Sequence, residues 1–161
     1  KAGVQQGPLI NQAAIKKVAQ HISDALQLGA ELVCGGKTHA LGGNFFEPTL
    51  LKNWTANMRV ANEKTFRPLA ALFKFSSEYE FTRLANATEY GLAAYFYSQN
   101  INRILHLAQQ LEYGIIGVNT GRTSNEVAPF GGFKQSGIGR EGSKYGIEEY
   151  LEIKYICLQT Q

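Results

Sequence analysis

The chain has 161 residues, of which 44% are hydrophobic and 18% are charged, the balance of a globular protein able to bury one sizeable core. Its net charge of +3 is small and scattered, which argues against nucleic-acid binding. No apolar run reaches membrane-spanning length and no signal peptide opens the chain. Two cysteines, Cys34 and Cys157, fit a reducing compartment, so we expect a cytoplasmic protein. Because the first residue is Lys1 rather than Met, we expect a trimmed chain or one that starts inside a longer parent.

The first predicted helix begins after Asn11, whose side chain can cap it. Five apolar residues recur there at helical spacing: Ile15, Val18, Ile22, Ala25 and Leu26. Gly29 suits the left-handed residue that ends a helix. Residues 32–34 predict a short buried strand, and residues 45–51 predict an extended stretch near a sheet edge because of Pro48.

The middle of the chain is the most regular part. Three apolar runs predict strands: residues 69–75, 92–97 and 115–118. Ser77 and Asn100 can cap the two helices between them, and Gly91 and Gly114 are predicted to end those helices. The second of these helices is predicted to turn five side chains inward: Ile101, Ile104, Leu105, Ala108 and Leu111. Right-handed crossovers then make the strands parallel and buried on both faces, so the predicted fold is α/β, a three-layer parallel sheet with flanking helices.

A polar loop, residues 119–127, follows the last of these strands. In open α/β sheets, ligands bind outside the carboxyl ends of the strands. The loop therefore predicts a functional site, while the alternative interpretation is a solvated connector.

Three glycines, Gly137, Gly139 and Gly142, have the spacing G-x-G-x-x-G. A dinucleotide-binding motif of this kind needs a strand before it and a helix and second strand after it. Only 19 residues follow Gly142, which is too few. The glycines are instead expected to let the backbone bend tightly and be approached closely.

The cysteines allow two interpretations. Cys34 lies near Lys37 and His39, and a nearby cation can make a thiol reactive. We favour a buried cysteine that fills space, for Cys34 and equally for Cys157. The three histidines lack ligand-like spacing with the cysteines, so no metal site is predicted.

The run PFGGFKQSGIGREGSKYG, which starts at Pro129, is similar to the carboxy-terminal motif of the aldehyde dehydrogenases. EKTFRP, residues 63–68, resembles a second motif of that family imperfectly. GLAAYFYS, SNEVAPFGG and GREGSKYGIEEYLEIKY are similar to the succinate-semialdehyde dehydrogenases. The resemblance covers essentially the whole chain and implies a partial catalytic domain over residues 1–149, followed by an oligomerisation strand over residues 150–161.

The resemblance also implies a mechanism. A cysteine thiolate attacks the aldehyde, hydride passes to NAD or NADP, a glutamate activates water, and an asparagine amide belongs to the oxyanion hole. In the family these groups and the cofactor domain lie before the point where this chain begins. Neither Cys34 nor Cys157 falls at the nucleophile's position, so we expect no activity from the chain alone.

The site residues that the resemblance carries over belong to the opposite wall. Phe66 is similar to the aromatic near the nicotinamide, and Phe130 to an aromatic of the aldehyde pocket. Ser124 is similar to the serine that holds the substrate carboxylate, and its hydroxyl can donate to a carboxylate oxygen. Arg122 could offer a second contact, although a solvated arginine is the alternative.

Three further residues resemble family positions away from the substrate. Glu141 is similar to a carboxylate on a proton path. Arg140 and Glu152 are similar to a structural ion pair beside a subunit interface. The terminal strand, residues 150–158, is expected to pair with a neighbouring subunit.

Two departures from the family pattern bear on the cofactor. Lys64 replaces the ribose-binding carboxylate, and a cation cannot accept hydrogen bonds from ribose hydroxyls. Arg67 replaces a glycine and adds bulk. Glu63 is adjacent but is expected to point elsewhere. Cofactor binding by this chain alone is therefore not expected.

The leading hypothesis is a carboxy-terminal fragment of a dehydrogenase that oxidises a succinate-semialdehyde-like small molecule, forms a homo-oligomer, and binds neither nucleic acid nor membrane. The alternative is a free-standing, non-catalytic oligomerising or binding module.

Overall fold

The computed structural model describes Gly3, residues 6–66 and residues 68–160, which belong to two compact units, Lys1–Phe75 and Ser76–Gln161. Both units combine helices with short β-sheets, which confirms the α/β class. None of the described helices is long and apolar enough to cross a membrane.

Helix α1 of the first unit spans Gln12–Gln27. The side chain of Asn11 accepts a hydrogen bond from the Ala14 amide at 2.9 Å, which confirms the predicted cap. Gly29 has a φ of +98°, so it ends the helix in the left-handed region. The predicted apolar face is buried except for Leu26, which is exposed, and it also contains the fully buried His21, which the pattern did not predict.

Strands β1 (Glu31–Cys34), β2 (Thr49–Lys52) and β3 (Leu69–Leu72) form one sheet in that order. Strand β2 runs antiparallel to β1 and parallel to β3, and the short helix α2 spans Arg59–Asn62 between them. The prediction that the first strand is buried is wrong, because all four residues of β1 are exposed. Strand β1 lies at the edge of the sheet, where it has one described neighbour.

Two apolar clusters stabilise the first unit. One packs α1 against the segment before β2, and its buried members are Leu9, Ala14, Ile15, Val18, Ile22 and Phe46. The other joins the end of α1 to β2 and to the residue before α2, through Ala25, Ala30, Leu51 and Met58. The side chain of Leu69 on β3 packs against both clusters, so it ties the sheet to the helix.

The second unit contains helices α3 (Glu78–Asn86) and α4 (Ile101–Gln110) and strands β4 (Tyr90–Gly91), β5 (Ala93–Phe96), β6 (Ile115–Val118) and β7 (Phe133–Lys134). Strands β5 and β6 are parallel and joined by α4, whereas β4 and β7 are antiparallel. Ser77 and Asn100 cap the helices, accepting hydrogen bonds from Glu80 N and Arg103 N. Both caps were predicted.

Several details of the second unit differ from the sequence prediction. Helix α3 ends at Asn86, and Gly91 lies in β4 instead of ending the helix. Ile101 and Leu105 are exposed because the buried face of α4 is centred on Leu107. Strand β3 pairs with β2 and β5 pairs with β6, so the three predicted parallel strands belong to two sheets, and residues of β3 and β5 remain partly exposed.

The predicted terminal strand pairs with none of the described residues of this chain, and its pairing with a neighbouring subunit stays a prediction. A single 3-10 turn spans Glu148–Tyr150, and residues 151–160 have no regular structure and are exposed. A strand needs a neighbour for its backbone N–H and C=O groups, and the described part of the chain pairs with none of these residues.

Candidate functional site

The glycine-rich segment of the second unit encloses a cavity of about 690 Å³. Phe130 and Glu141 contribute to its lining and form an antiparallel bridge. The Phe130 amide donates to the Glu141 carbonyl at 2.9 Å, and the Glu141 amide donates to the Phe130 carbonyl at 2.7 Å. The structure therefore brings together two of the predicted site residues at one wall of the cavity.

Close backbone contacts explain the glycines around this cavity. A Cβ atom on Gly114 would lie 2.0 Å from the Gly131 carbonyl oxygen, and one on Gly139 would lie 2.8 Å from the Glu149 carboxylate. Gly139 also has a φ of +88°, which side chains disfavour. The expected tight bending and close approach are both present, and the described residues after Gly142 contain a single 3-10 turn, Glu148–Tyr150.

Lys134 and Ser136 hold this segment in place. The Lys134 ammonium donates to the carbonyls of Asn86 at 2.9 Å and Thr88 at 3.2 Å, and it forms an ion pair with Glu112 at 2.5 Å. The Ser136 hydroxyl accepts a hydrogen bond from the Gly91 amide at 3.0 Å. Sequence reasoning assigned no role to either residue, although both belong to the carboxy-terminal motif.

Arg140 binds within the same loop. Its guanidinium donates to the carbonyls of Gly139 at 2.7 Å and Gly132 at 3.0 Å, and it lies 5.6 Å from the centre of the Phe133 ring. Glu152 is exposed, and no described salt bridge joins it to Arg140. The ion pair therefore stays a prediction, while the arginine already joins two turns of the loop.

The polar loop after β6 is fixed at its start. Asn119 has a φ of +56°, and its side-chain amide accepts from the Ser98 amide and donates to the Ser98 carbonyl, each at 2.8 Å. The Asn119 amide also donates to the Phe96 carbonyl at 2.9 Å, so the side chain and the backbone of Asn119 both tie the loop to the end of β5. The hydroxyls of Tyr95 and Thr123 lie 3.3 Å apart beside Gly117, where a Cβ would approach the Tyr95 ring to 2.4 Å.

The exposed part of the loop carries Ser124 and Arg122. Its far end is tied to the glycine-rich segment, because the Ser143 amide donates to the Glu126 carbonyl at 3.0 Å. A loop anchored at both ends holds its exposed hydroxyl and guanidinium in a restricted region. Such a pair of donors can bind an anionic group.

Phe66 lies in the first unit, where it is 69% exposed and has a φ of +50°. The Lys64 ammonium lies 4.5 Å from the centre of its ring. The Glu63 carboxylate is already bound by two other side chains: it accepts a hydrogen bond from Arg59 at 2.7 Å and pairs with the His21 ring at 3.1 Å. The hydrogen bond from Arg59, followed by that from His21, lowers the pKa of Glu63 from 4.5 to about 2. Arg67 lies outside the described residues.

Both cysteines are exposed, so the interpretation of either as a buried, space-filling residue is wrong. Cys34 ends the edge strand β1, with its sulfur 3.9 Å from the Pro48 carbonyl oxygen, and Cys157 lies in the irregular terminal segment. Among the residues described, no group of three or more His, Cys, Asp or Glu side chains could hold a metal ion.

A family model described as "Aldehyde dehydrogenase family" matches residues 1–156. The chain belongs to this family. It is 65% identical to 3-sulfolactaldehyde dehydrogenase of Pseudomonas putida over 98% of the chain and 32% of that protein. It is 60% identical to the NADP(+) succinate-semialdehyde dehydrogenase of Escherichia coli K12 over 97% of the chain and 32% of that protein. The family assignment and the α/β fold class made from the sequence are both confirmed.

A crystal structure titled as an E. coli NADP dependent enzyme superimposes with a TM-score of 0.96 at 58% identity, covering 99% of this chain and 33% of that one. The chain thus spans about a third of the length of the relatives it matches.

The family implies a nicotinamide cofactor, and the described residues do not fit one by themselves. Lys64, which the resemblance puts at the position of the ribose-binding carboxylate, has an ammonium with no acceptor lone pair, and this ammonium lies over the Phe66 ring. The neighbouring Glu63 carboxylate is engaged by Arg59 and His21. The segment therefore offers an exposed aromatic surface without the acceptor that ribose hydroxyls require.

Proposed function

We propose that this chain is the substrate-side and interface-side part of a dehydrogenase that oxidises an anionic semialdehyde, such as succinate semialdehyde, to the acid. The observation that carries the proposal is the anchored loop after β6, which exposes Ser124 and Arg122 next to a segment that matches the family motif. We place the whole protein in the cytoplasm.

The substrates named for the relatives share one chemical feature that suits this loop. Succinate semialdehyde carries a carboxylate and 3-sulfolactaldehyde carries a sulfonate, each at the end away from the aldehyde. The Ser124 hydroxyl donates one hydrogen bond to such an acid group, and Arg122 adds a charge-assisted contact. Phe130, 41% exposed, supplies an apolar surface for the carbon chain between the two ends.

We propose that the groups that carry out the oxidation lie in the part of the whole enzyme that this chain does not cover. NAD or NADP, when bound to the whole enzyme, accepts the hydride. Cys34 lies in the first unit at the end of an edge strand and Cys157 lies in the terminal segment, and the resemblance matches neither to the family's nucleophile. Glu141, exposed at the bridge with Phe130, is proposed to lie on a proton path in the whole enzyme.

A chimera tests the substrate assignment. In it, this chain replaces the matching third of the E. coli succinate-semialdehyde dehydrogenase, and KM and kcat are measured for succinate semialdehyde and for butanal, which has no acid group. Losing a hydrogen bond to a charged group costs about 1.5–3 kcal/mol, so Ser124→Ala should raise KM for succinate semialdehyde by roughly 10–150-fold.

Ser124→Ala should leave the kinetics with butanal unchanged, and Ser124→Thr, which keeps the hydroxyl, should retain most of the affinity. An equal loss with both aldehydes would show that Ser124 does not bind the acid group. An inactive wild-type chimera would contradict the assignment of this chain as a working part of such an enzyme.

The second candidate function is a non-catalytic oligomerising module. The observation that favours it is the terminal segment, in which Leu151, Ile153, Tyr155, Ile156 and Leu158 are 61–100% exposed. It predicts a stable dimer that binds neither cofactor nor dicarboxylate. Light scattering combined with thermal-shift series on succinate, NAD and NADP separates the two candidates, because stabilisation by succinate would contradict the module.

A further inference from the structure

Helix α1 carries three polar residues, Lys17, His21 and Asp24, spaced so that they share one face. We call these three residues the polar stripe. Each one contacts the stretch from the start of helix α2 to Phe66, residues 59–66, which is more than 30 residues away in sequence. The stripe is separate from the proposed substrate loop, and neither the substrate nor the oxidation chemistry explains it.

Asp24 holds the start of this stretch. Its carboxylate accepts a hydrogen bond from the Arg59 amide at 2.8 Å. Helix α2 begins after Met58, whose side chain makes no capping hydrogen bond. The first-turn N–H groups of a helix need such an acceptor, so α1 supplies from outside the cap that the sequence of α2 lacks.

Lys17 holds the far end of the stretch. Its ammonium donates to the Lys64 carbonyl at 2.8 Å. This bond fixes the backbone two residues before Phe66. Together with Asp24, it holds the stretch at both ends.

His21 holds the middle of the stretch and is fully buried. Its Nε2 lies 3.1 Å from the Glu63 carboxylate, and its Nδ1 lies 2.9 Å from the Thr65 hydroxyl. A carboxylate only accepts hydrogen bonds, so Nε2 carries the proton, and in the neutral ring Nδ1 accepts from Thr65. Arg59 holds the same carboxylate from the other side. The buried His21 ring thus holds the side chains of Glu63 and Thr65, which lie three residues and one residue before Phe66.

The backbone that follows these contacts is in an unfavourable conformation. Phe66 has a φ of +50°, a region that residues with a side chain rarely adopt unless surrounding contacts impose it. Its ring nevertheless stays 69% exposed and contacts the Lys64 ammonium at 4.5 Å. Burial of the ring therefore contributes little to holding this conformation, and three of the four hydrogen bonds to α1 end on residues 63–65, directly before Phe66.

We propose that the polar stripe positions Phe66, with His21 and its bond to Thr65 as the decisive contact. The stripe residues are positioning residues, because none of them touches a reacting atom. The inference rests on the proposed function in one respect only, namely that the Phe66 ring lies near the nicotinamide cofactor in the whole enzyme. The geometry of the Phe66 segment itself can be measured without substrate or cofactor.

The test uses the 161-residue chain and NMR. With its ammonium 4.5 Å from the Phe66 ring centre, Lys64 should show ε-proton signals shifted upfield, and the φ-dependent amide coupling of Phe66 should report its backbone. Thr65→Val removes the hydroxyl at constant shape, and Thr65→Ser keeps it. We expect Thr65→Val to lose most of the Lys64 shift and to change the Phe66 coupling, and Thr65→Ser to retain both.

Two further variants separate positioning from folding. His21→Leu should lose the same signals as Thr65→Val, whereas Gln20→Leu, an exposed position on the same helix outside the stripe, should lose none. Trp54, the single tryptophan, reports folding of the first unit. An unchanged Lys64 shift in folded Thr65→Val would overturn the proposal, and so would unfolding of Thr65→Val, since the contact would then serve folding alone. Because no ligand is present, failure here is distinct from failure of the chimera test.

Discussion

Replacing Lys134 by methionine removes one ammonium and keeps the aliphatic stem. The ammonium donates to two backbone carbonyls, of Asn86 and Thr88, and pairs with Glu112. Glu112 is 54% exposed, so that pair contributes only about 0–1 kcal/mol. The Lys134 side chain, which donates to the two carbonyls, is only 26% exposed. Losing this charged donor brings the expected decrease in unfolding free energy to about 2 kcal/mol.

The effect should be local, which hydrogen exchange can measure. The Gln135 amide donates to the Glu89 carbonyl at 2.9 Å, next to the deleted contact. A loss of about 2 kcal/mol corresponds to roughly 30-fold faster exchange of that amide. The matched control is Lys144→Met in the same loop, because the Lys144 ammonium lies 5.1 Å from the Tyr145 ring and is exposed.

The control should change unfolding free energy by less than about 0.5 kcal/mol, as surface substitutions usually do. The reasoning would be refuted if Lys134→Met left the Gln135 exchange rate within the range of the control. It would then follow that the motif lysine does not hold the glycine-rich segment.

Three other predictions concern stability. The pKa of Glu63 is lowered to about 2 from 4.5, so the stability that its carboxylate contributes is complete above about pH 4.5 and is lost as the pH falls towards 2. Glu63→Gln should therefore flatten the pH dependence of the unfolding free energy between about pH 4.5 and about pH 2, measured by urea unfolding with Trp54 fluorescence. An unchanged pH dependence would contradict this prediction. Gly114→Ala places a Cβ 2.0 Å from the Gly131 carbonyl oxygen and should destabilise by about 1–3 kcal/mol in circular-dichroism unfolding, so a neutral result would count against the close approach. Leu51→Ala empties a fully buried position and should cost about 2–5 kcal/mol by Trp54 fluorescence; a cost below 1 kcal/mol would show that this core can collapse.

Local features of the fold could be predicted because neighbouring residues determine them. Asn11, Ser77 and Asn100 each bond an amide three residues ahead, and the residue type at that spacing is enough to predict a cap. Strand pairing was harder, because β2 pairs with β3 through residues about 20 positions away. The apolar run 32–34 looks buried in the sequence, although it forms an edge strand that is exposed in this chain.

The candidate site shows the same contrast between features that neighbouring residues determine and features that distant partners determine. The motif singled out Phe130 and Glu141 as site residues, and the structure joins them by a backbone bridge, while their roles stay predictions. The roles of Lys134 and His21 depend on partners more than 20 residues away and could not be derived from spacing. The terminal strand was expected from the family resemblance, but a strand forms only against a neighbour, and the single chain supplies none to the described residues 151–160.

The central claim is that this chain forms one wall of a dehydrogenase site and lacks the reacting groups. The most direct measurement incubates the purified chain with succinate semialdehyde and either NAD or NADP and follows formation of the reduced cofactor. We predict none above the rate without protein. Turnover that persists in the Cys34→Ser, Cys157→Ser double variant would contradict the claim, because the chain would then oxidise the aldehyde without any thiol of its own.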